Sequence, residues 1–439
     1  MDNLIIDAGK NFFKKQSPAR LIALGFSGVI LIGAILLMLP ISANEGVHVS
    51  FIDALFTSAS AVCVTGLITL DTADSFTIFG RTVVALLIQI GGLGVTSVGV
   101  GLVLATGKRL GFKGRLLVKE AMNVSNFKGL VKLVKYILLT TLVFESIGAA
   151  LSFFVFVKQY PALDAIGISV FHSIASFNNA GFDILGGMQN LIPYEDSVLL
   201  NLTTAGLIIF GGIGFFVIMD IIGTKNFRKL TLHSKVVIVT SAVLILVGTV
   251  LLKATEDVTL MGAFFQSVSA RTAGFCTYPI GEFTNAGLFT LIILMFIGAS
   301  PGSTGGGIKT STLFVIMNAI KSTATNQHCQ AFRRKIPSDV IYRASIITML
   351  SFIVVCISTF LLCVFEPQFS FIQLLFESTS AFGTVGLSTG ITPNLSTISK
   401  IVIIITMFIG RLGALTMATV WVFKAPTMSV YTEEHITIG

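Results

Sequence analysis

Long and short apolar runs alternate along this chain, and the alternation recurs four times. Each block has a long run, a polar turn, an apolar stretch of about ten residues, a small-residue loop and a second long run. A helix needs about 20 apolar residues to cross a bilayer, so the long runs read as spans. The short ones cannot cross and must be re-entrant. Their loops survive at membrane depth only inside protein or beside a wet cavity.

In the first block a span starts at Pro18, a tolerated residue at a helix start, and runs to about residue 41. Ser50-Phe51-Ile52-Asp53 reads as a capping box opening the short helix, and a second span covers about 78–106. The later blocks place first spans at 133–157, 233–253 and 341–365, and second spans at 197–222, 285–320 and 397–423. Between them lie half-helices at 164–176, 258–270 and 371–381. The implied division is a tail (1–17), repeats over 18–107, 130–224, 230–322 and 338–424, and a C-terminal tail (425–439). The fold class expected is an all-α polytopic membrane protein. It has four span–pore helix–span repeats around a pseudo-fourfold central pore, and eight transmembrane helices.

The loops after the half-helices share a plan. They are Ala61-Val62-Cys63-Val64-Thr65-Gly66-Leu67, Ser176-Phe177-Asn178-Asn179-Ala180-Gly181-Phe182, Ser269-Ala270-Arg271-Thr272-Ala273-Gly274-Phe275 and Ala381-Phe382-Gly383-Thr384-Val385-Gly386-Leu387. Each has a small residue five before the glycine, Leu or Phe after it, and a phenylalanine ten before it: Phe56, Phe171, Phe264 and Phe376. Ser50 and Ser370 both lie 16 residues before their glycine, a mark of internal duplication. Ile90-Gly91-Gly92-Leu93-Gly94, Phe210-Gly211-Gly212-Ile213-Gly214, Ile297-Gly298-Ala299 and Ile409-Gly410-Arg411 correspond in the second spans. Such glycines let membrane helices pack closely, here beneath the loops.

Composition agrees: 54% of the 439 residues are hydrophobic and 11% charged, with a mean hydropathy of +0.90. The net charge of +8 is not a nucleic-acid signal, because 22 of the 29 Lys and Arg fall in five regions at the termini and repeat junctions. The intervening loops are acidic, which is the positive-inside pattern and puts both termini in the cytoplasm. The N-terminus shows no cleavable signal. The five cysteines form no CxxC pair and the histidines no metal-ligand spacing.

Half-helices entering from outside aim their C-terminal ends, each carrying about half a negative charge, at the membrane centre. Four such ends favour a dehydrated cation, and loop carbonyls can replace its hydration shell. The expected ligands are the backbones of Val64, Thr65 and Gly66, Asn179, Ala180 and Gly181, Thr272, Ala273 and Gly274, and Thr384, Val385 and Gly386.

Arg271-Thr272-Ala273-Gly274-Phe275, Val64-Thr65-Gly66-Leu67 and the four-repeat plan resemble the Trk/Ktr/HKT superfamily of cation transporters over essentially the whole chain. The absence of extra N-terminal spans resembles the Ktr-type membrane subunit. In that family the four filter glycines set potassium selectivity, and a serine in the first repeat marks some sodium-conducting relatives. Glycine at Gly66, Gly181, Gly274 and Gly386 therefore implies bound potassium ion, with no organic cofactor. The resemblance also implies a homodimer in the cell membrane on a cytosolic ring of nucleotide-binding regulatory subunits. Basic inner loops suit that partner or anionic membrane lipid.

The third repeat breaks its helix at 298–310, where Gly302, Gly305, Gly306 and Gly307 precede Lys309. The spacing mimics a phosphate-binding loop, but Ile308 intervenes and no βαβ unit surrounds it. The resemblance implies an intramembrane gating loop below the filter. Arg411 lies mid-span where the other repeats have Gly92, Gly212 and Ala299, and is expected to donate to the loop's carbonyls and hold it closed. The alternative is a bridge to Glu145. Arg271 should point behind the filter, Asp183 serves the outer mouth or a turn, and His172 packs.

These residues leave open a carrier for sodium, ammonium or another solute on the same scaffold, and they leave sodium dependence open. No paired carboxylates, Ser/His/Asp set or metal cluster at one depth supports an enzyme.

Overall fold

The computed structural model describes residues 17–105 and 130–420. Expectations for the N-terminal tail to residue 16, the basic stretch 108–129 and the C-terminal tail lie outside them. Each first span is one long helix: α1 (Pro18–Leu37), α5 (Leu130–Phe156), α9 (Leu232–Thr255) and α13 (Ser338–Phe365). Each is long and apolar enough to cross a membrane. Leu31, Ile35, Leu142, Leu246, Phe352 and Phe360 keep their side chains exposed, as a lipid-facing surface requires. The pore helices are α2 (Phe51–Cys63), α6 (Ala162–Phe177), α10 (Leu260–Ser269) and α14 (Phe371–Gly383).

The second spans are not the straight helices that unbroken apolar sequence suggests. α3 (Ile78–Leu93) turns 99° into α4 (Val95–Ala105), α7 (Val198–Ile213) turns 95° into α8 (Phe215–Thr224), and α15 (Thr397–Leu412) turns 99° into α16 (Ala414–Val420). The residue at each corner is a glycine with positive φ: Gly94 at 82°, Gly214 at 97° and Gly413 at 88°. Glycine alone takes that conformation without Cβ strain. In the third repeat the place of the second span is divided between α11 (Asn285–Phe296) and α12 (Thr310–Ala324), on either side of the broken segment. Beyond α12 a short hairpin, β1 (Gln330–Ala331) with β2 (Arg334–Lys335), leads into α13.

The duplicated phenylalanine marks the core in three repeats: Phe56, Phe171 and Phe376 are buried. In the third, Phe265 takes the buried place and Phe264 is only half-buried. The outer ends of the repeats are fastened by polar caps. Ser370 and Gln373 form the full capping box on α14. On α2 the Ser50 hydroxyl caps the Asp53 amide at 3.2 Å, but the Asp53 carboxylate does not reciprocate to the Ser50 amide. It accepts from the Ser50 hydroxyl and, at 2.8 Å, from Lys400 of α15. That bridge joins the first repeat to the fourth and closes the circle of repeats. Glu256 after α9 accepts from the Thr284 amide and hydroxyl, and Glu366 after α13 accepts from the Ser396 amide at 2.6 Å. Burial opposes the charge on Glu366, yet hydrogen bonds from Ser396, Ser399 and Gln368 outweigh it and hold its carboxyl below the usual range.

The glycines of the second spans sit against the ends of the pore helices. A Cβ on Gly91 would fall 2.0 Å from Val62 O, on Gly211 1.9 Å from Phe177 O, and on Gly410 1.9 Å from Phe382 O. Backbone meets backbone at these points, so neither side can yield cheaply. Gly410→Ala is expected to destabilise the fold by about 1–3 kcal/mol, the usual cost of overpacking. Melting of the purified variant in detergent checks this; an unchanged midpoint would show that α15 can move off α14.

Candidate functional site

Each pore helix stops three to five residues before its loop glycine, and the loops then share one backbone plan. The residue two before the glycine is left-handed: Val64 (φ 52°), Asn179 (57°), Thr272 (73°) and Thr384 (49°). So are the glycines: Gly66 (85°), Gly181 (69°), Gly274 (80°) and Gly386 (97°). The residues between, Thr65, Ala180, Ala273 and Val385, are not. Left-handed valine and threonine are costly and persist only where surrounding structure imposes them.

The amide hydrogens of these loops are used on the pore-helix side. Thr65 N donates to Ser60 O at 2.8 Å, Ala180 N to Ala175 O at 2.8 Å, and Val385 N to Ser380 O at 2.9 Å. The Gly66 and Gly386 amides donate to the hydroxyls of Ser60 and Ser380, both at 3.1 Å. The third repeat differs, with Ala273 N and Gly274 N both donating to Ser269 O.

The four glycines form a closed ring. A Cβ on Gly66 would lie 2.4 Å from Ala180 O, on Gly181 2.7 Å from Ala273 O, on Gly274 2.2 Å from Val385 O, and on Gly386 2.0 Å from Thr65 O. Each glycine thus abuts the loop of the next repeat, and the fourth returns to the first. The backbone presents oxygens here, and no side chain fits between them.

Beneath the ring the segment between α11 and α12 crosses the axis. Ala299 N donates to Gly306 O at 3.3 Å, which folds the segment on itself. Ser300 N and Thr304 N donate to Gly212 O and Gly211 O, and Gly306 N donates to the Thr384 hydroxyl at 3.0 Å. A Cβ on Gly305 would strike the Thr272 hydroxyl at 2.0 Å, and one on Gly302 would strike the Phe216 ring at 2.7 Å. Gly307 is left-handed at φ 68°. Lys309 bends back and donates to Gly305 O at 2.7 Å and Gly306 O at 3.3 Å. Arg411 donates to Thr304 O and Gly91 O, and at 3.2 Å to Gly92 O. One guanidinium therefore joins the crossing segment to the first repeat. Glu145 is not its partner; that carboxylate faces Gln89 and Asn178.

Arg271 turns away from the axis and donates to Ser241 of α9, at 3.3 Å to the carbonyl and 3.2 Å to the hydroxyl. Asp183 is a turn residue, accepting from Leu185 N at 3.0 Å. His172 is buried against Thr204 at 2.8 Å. Two residues beside the ring escaped the sequence reading. Glu377 on α14 is fully buried and accepts from the Ser388 hydroxyl, Thr389 N and the Thr392 hydroxyl, pinning the chain just after Gly386. A carboxylate nine residues before the glycine, where the other repeats have Thr57, His172 and Phe265, was the available signal. Asn190 donates to Gly181 O at 3.3 Å and accepts from Cys276 N at 3.1 Å, so it ties the second loop to the third. The strap before it is held on the other side, Gly187 N and Met188 N donating to Asp74 and Asp71.

Four re-entrant helices around an axial ring of carbonyls, within a polytopic helical frame, define a membrane protein that passes cations. The chain belongs to the TrkH family of cation transport proteins, whose model matches residues 26–255 and 229–431. It is 40% identical over 421 residues to the Ktr system potassium uptake protein B of Bacillus subtilis, covering 91% of this chain and 92% of the relative. It is 38% identical to the potassium/sodium uptake protein NtpJ of Enterococcus hirae, covering 98% and 99%. The fold matches the crystal structure of the potassium transporter TrkH from Vibrio parahaemolyticus, with a TM-score of 0.74 over 93% of this chain and 86% of that one, at 18% identity.

Asn190→Ala should leave the chain folded but free Gly181 O. The expected result is a several-fold fall in discrimination between rubidium and sodium in transport competition, with little change in maximal rate. Unchanged discrimination would limit Asn190 to a loop contact.

Proposed function

We propose that this chain is the potassium-translocating subunit of a Ktr-type uptake system in the cell membrane. The observation that carries the reading is the closed ring of glycines and carbonyls at the ends of four pore helices. The helix ends supply partial negative charge, and the loop carbonyls take the place of water around a dehydrated ion. Most of the loop amides are already bonded to the pore helices, which leaves the carbonyls rather than the amides to meet the ion.

The backbones of Val64, Thr65 and Gly66 and their counterparts at 179–181, 272–274 and 384–386 make the filter. The segment through Gly302, Gly305, Gly306 and Gly307, held by Lys309 and Arg411, is the gate below it. A closed gate and an occupied filter are compatible, because the segment touches the hydroxyls of Thr272 and Thr384 rather than the ring itself. Opening requires the segment to leave Arg411. Both termini lie in the cytoplasm by the distribution of Lys and Arg. The chain pairs as a homodimer in the membrane, and on the cytoplasmic side it meets anionic lipid and docks on a ring of nucleotide-binding regulatory subunits that moves the gate. Potassium is the substrate, and no organic cofactor takes part. The similarity to a potassium/sodium uptake protein keeps sodium as the second ion to test.

The purified chain in liposomes loaded with potassium should accumulate external rubidium, blocked by potassium and not by sodium, and Gly274→Ser should remove that preference. Rubidium blocked equally by both ions in the wild type would overturn potassium selectivity. A charge-assisted hydrogen bond contributes about 1.5–3 kcal/mol. Arg411→Ala should therefore raise the flux without regulatory subunits roughly tenfold or more. Deleting Gly305–Gly307 should do the same. If neither raises flux, the segment is not the gate.

A further inference from the structure

We infer that Arg271 and Ser241 hold a monatomic anion, a halide such as chloride, in a cavity behind the filter loop of the third repeat. Arg271 follows the end of α10, three residues before its ring glycine. The other repeats have Cys63, Asn178 and Gly383 there, so the cation belongs to this repeat alone. Its side chain is only 8% exposed. Among the described residues it donates only to Ser241, at 3.3 Å to the carbonyl and 3.2 Å to the hydroxyl. Five N–H groups thus meet two acceptors, and the buried Nε–H has none. The guanidinium lines a cavity of about 20 Å³, together with Ser241 and Ile245 of α9, Val268 of α10 and Gly212 of α7. That volume takes a water-sized occupant and is too small for a phosphate or carboxylate headgroup.

A cation buried at this depth needs a negative partner. The carbonyl end of α10 supplies about half a charge. No carboxylate supplies the rest: the ion pair found among the described residues is Lys400 with Asp53. Comparison with the second repeat shows why. There the Ser173 hydroxyl donates to Glu145 O, and in the third repeat the Ser267 hydroxyl donates to Ile245 O, so Ile245 stands where α5 carries Glu145. The carboxylate lies beside neutral Asn178, and the isoleucine lines the cavity beside cationic Arg271. An anion from solution completes the charge. The guanidinium has N–H groups to spare for it, and the Ser241 hydroxyl, which accepts from Arg271, keeps its own hydrogen to donate. The apolar walls strengthen the attraction by lowering the local dielectric. A Cβ on Gly212 would lie 3.2 Å from Asn179 Nδ2 and 3.9 Å from Ala299, so one residue separates the cavity from the filter and the crossing segment. An unmatched Arg271 opposes the negative potential that α10 directs at the ring, and the anion restores it. This consequence, faster cation uptake in chloride, rests on the reading of the chain as a potassium pore; the binding itself does not.

The test is the melting midpoint of the purified full chain in detergent, at constant potassium and ionic strength, with gluconate replaced stepwise by chloride. The midpoint should rise saturably with chloride or bromide and not with sulfate. Arg271→Gln should need at least tenfold more chloride or lose the response. Ile245→Phe, which fills the cavity and keeps the cation, should lose it too. Crystals of the wild type grown in potassium bromide should show anomalous scattering against Arg271 Nε, a result that stands even if the variants fail to fold. A wild type indifferent to halide (water as the occupant), a midpoint that follows sulfate as it follows chloride, variants that respond as the wild type does, or a cavity without bromide would each overturn the site. Rubidium uptake into liposomes should be at least twofold faster in chloride than in gluconate, and it separates the two readings. Halide response without any uptake rejects the pore, and uptake without halide response rejects the anion site. Halide response with equal uptake in both salts rejects the action on the filter.

Discussion

The structure depends on one constraint: four backbones must approach one another at the centre of a membrane with nothing between them. Every loop carbonyl at this depth needs a partner, and every Cβ is excess volume. The ring Gly66, Gly181, Gly274 and Gly386 meets both demands, since a Cβ on any of them would come within 2.0 to 2.7 Å of the next repeat's carbonyl. The glycines of the second spans extend the same economy one layer out, where Gly91, Gly211 and Gly410 admit the carbonyl ends of the pore helices. The rest of the fold holds this contact closed. Lys400 and Asp53 join the first repeat to the last, and Asn190 joins the second to the third.

Below the ring the third repeat gives up its helix, and its polar backbone must be satisfied from outside. The partners come from all sides: carbonyls of the second repeat accept its amides, a threonine of the fourth accepts Gly306 N, and Arg411 and Lys309 donate to its carbonyls. The segment is thus bonded at several points without being part of any regular element. Side-chain donors bind it where a helix would have bound itself.

Much of this was legible in the sequence because glycine leaves a trace where backbone geometry demands it. The fourfold loop plan, the broken third repeat and the lone Arg411 could be read from spacing alone. The bends at Gly94, Gly214 and Gly413 were not read, although the glycines stand in plain sight, because apolar composition runs unbroken across them and composition does not record direction. The left-handed Val64, Asn179, Thr272 and Thr384 had no signal at all, since their conformation is imposed by the pore helix behind and the ring beside them. Asp53 looked like half of a capping box and instead serves Lys400, a partner 347 positions away that only the closed circle brings near. Glu377 and Asn190 were hidden for the same reason: their partners are loop groups whose positions follow from the fold.

The four quarters of the ring belong to one polypeptide, and this has a genetic consequence. In a channel assembled from four identical subunits, a codon change is felt four times. An arginine at the level of Arg411 would bring four guanidiniums to the axis, each pair repelling by on the order of 2 kcal/mol at about 8 Å and an effective dielectric near 20. Here the equivalent places are Gly92, Gly212 and Ala299, and a single cation arrives. Gene duplication followed by divergence therefore opened a route closed to symmetric assemblies: one quadrant could break its helix and another supply the guanidinium that binds it, while all four kept the same glycine.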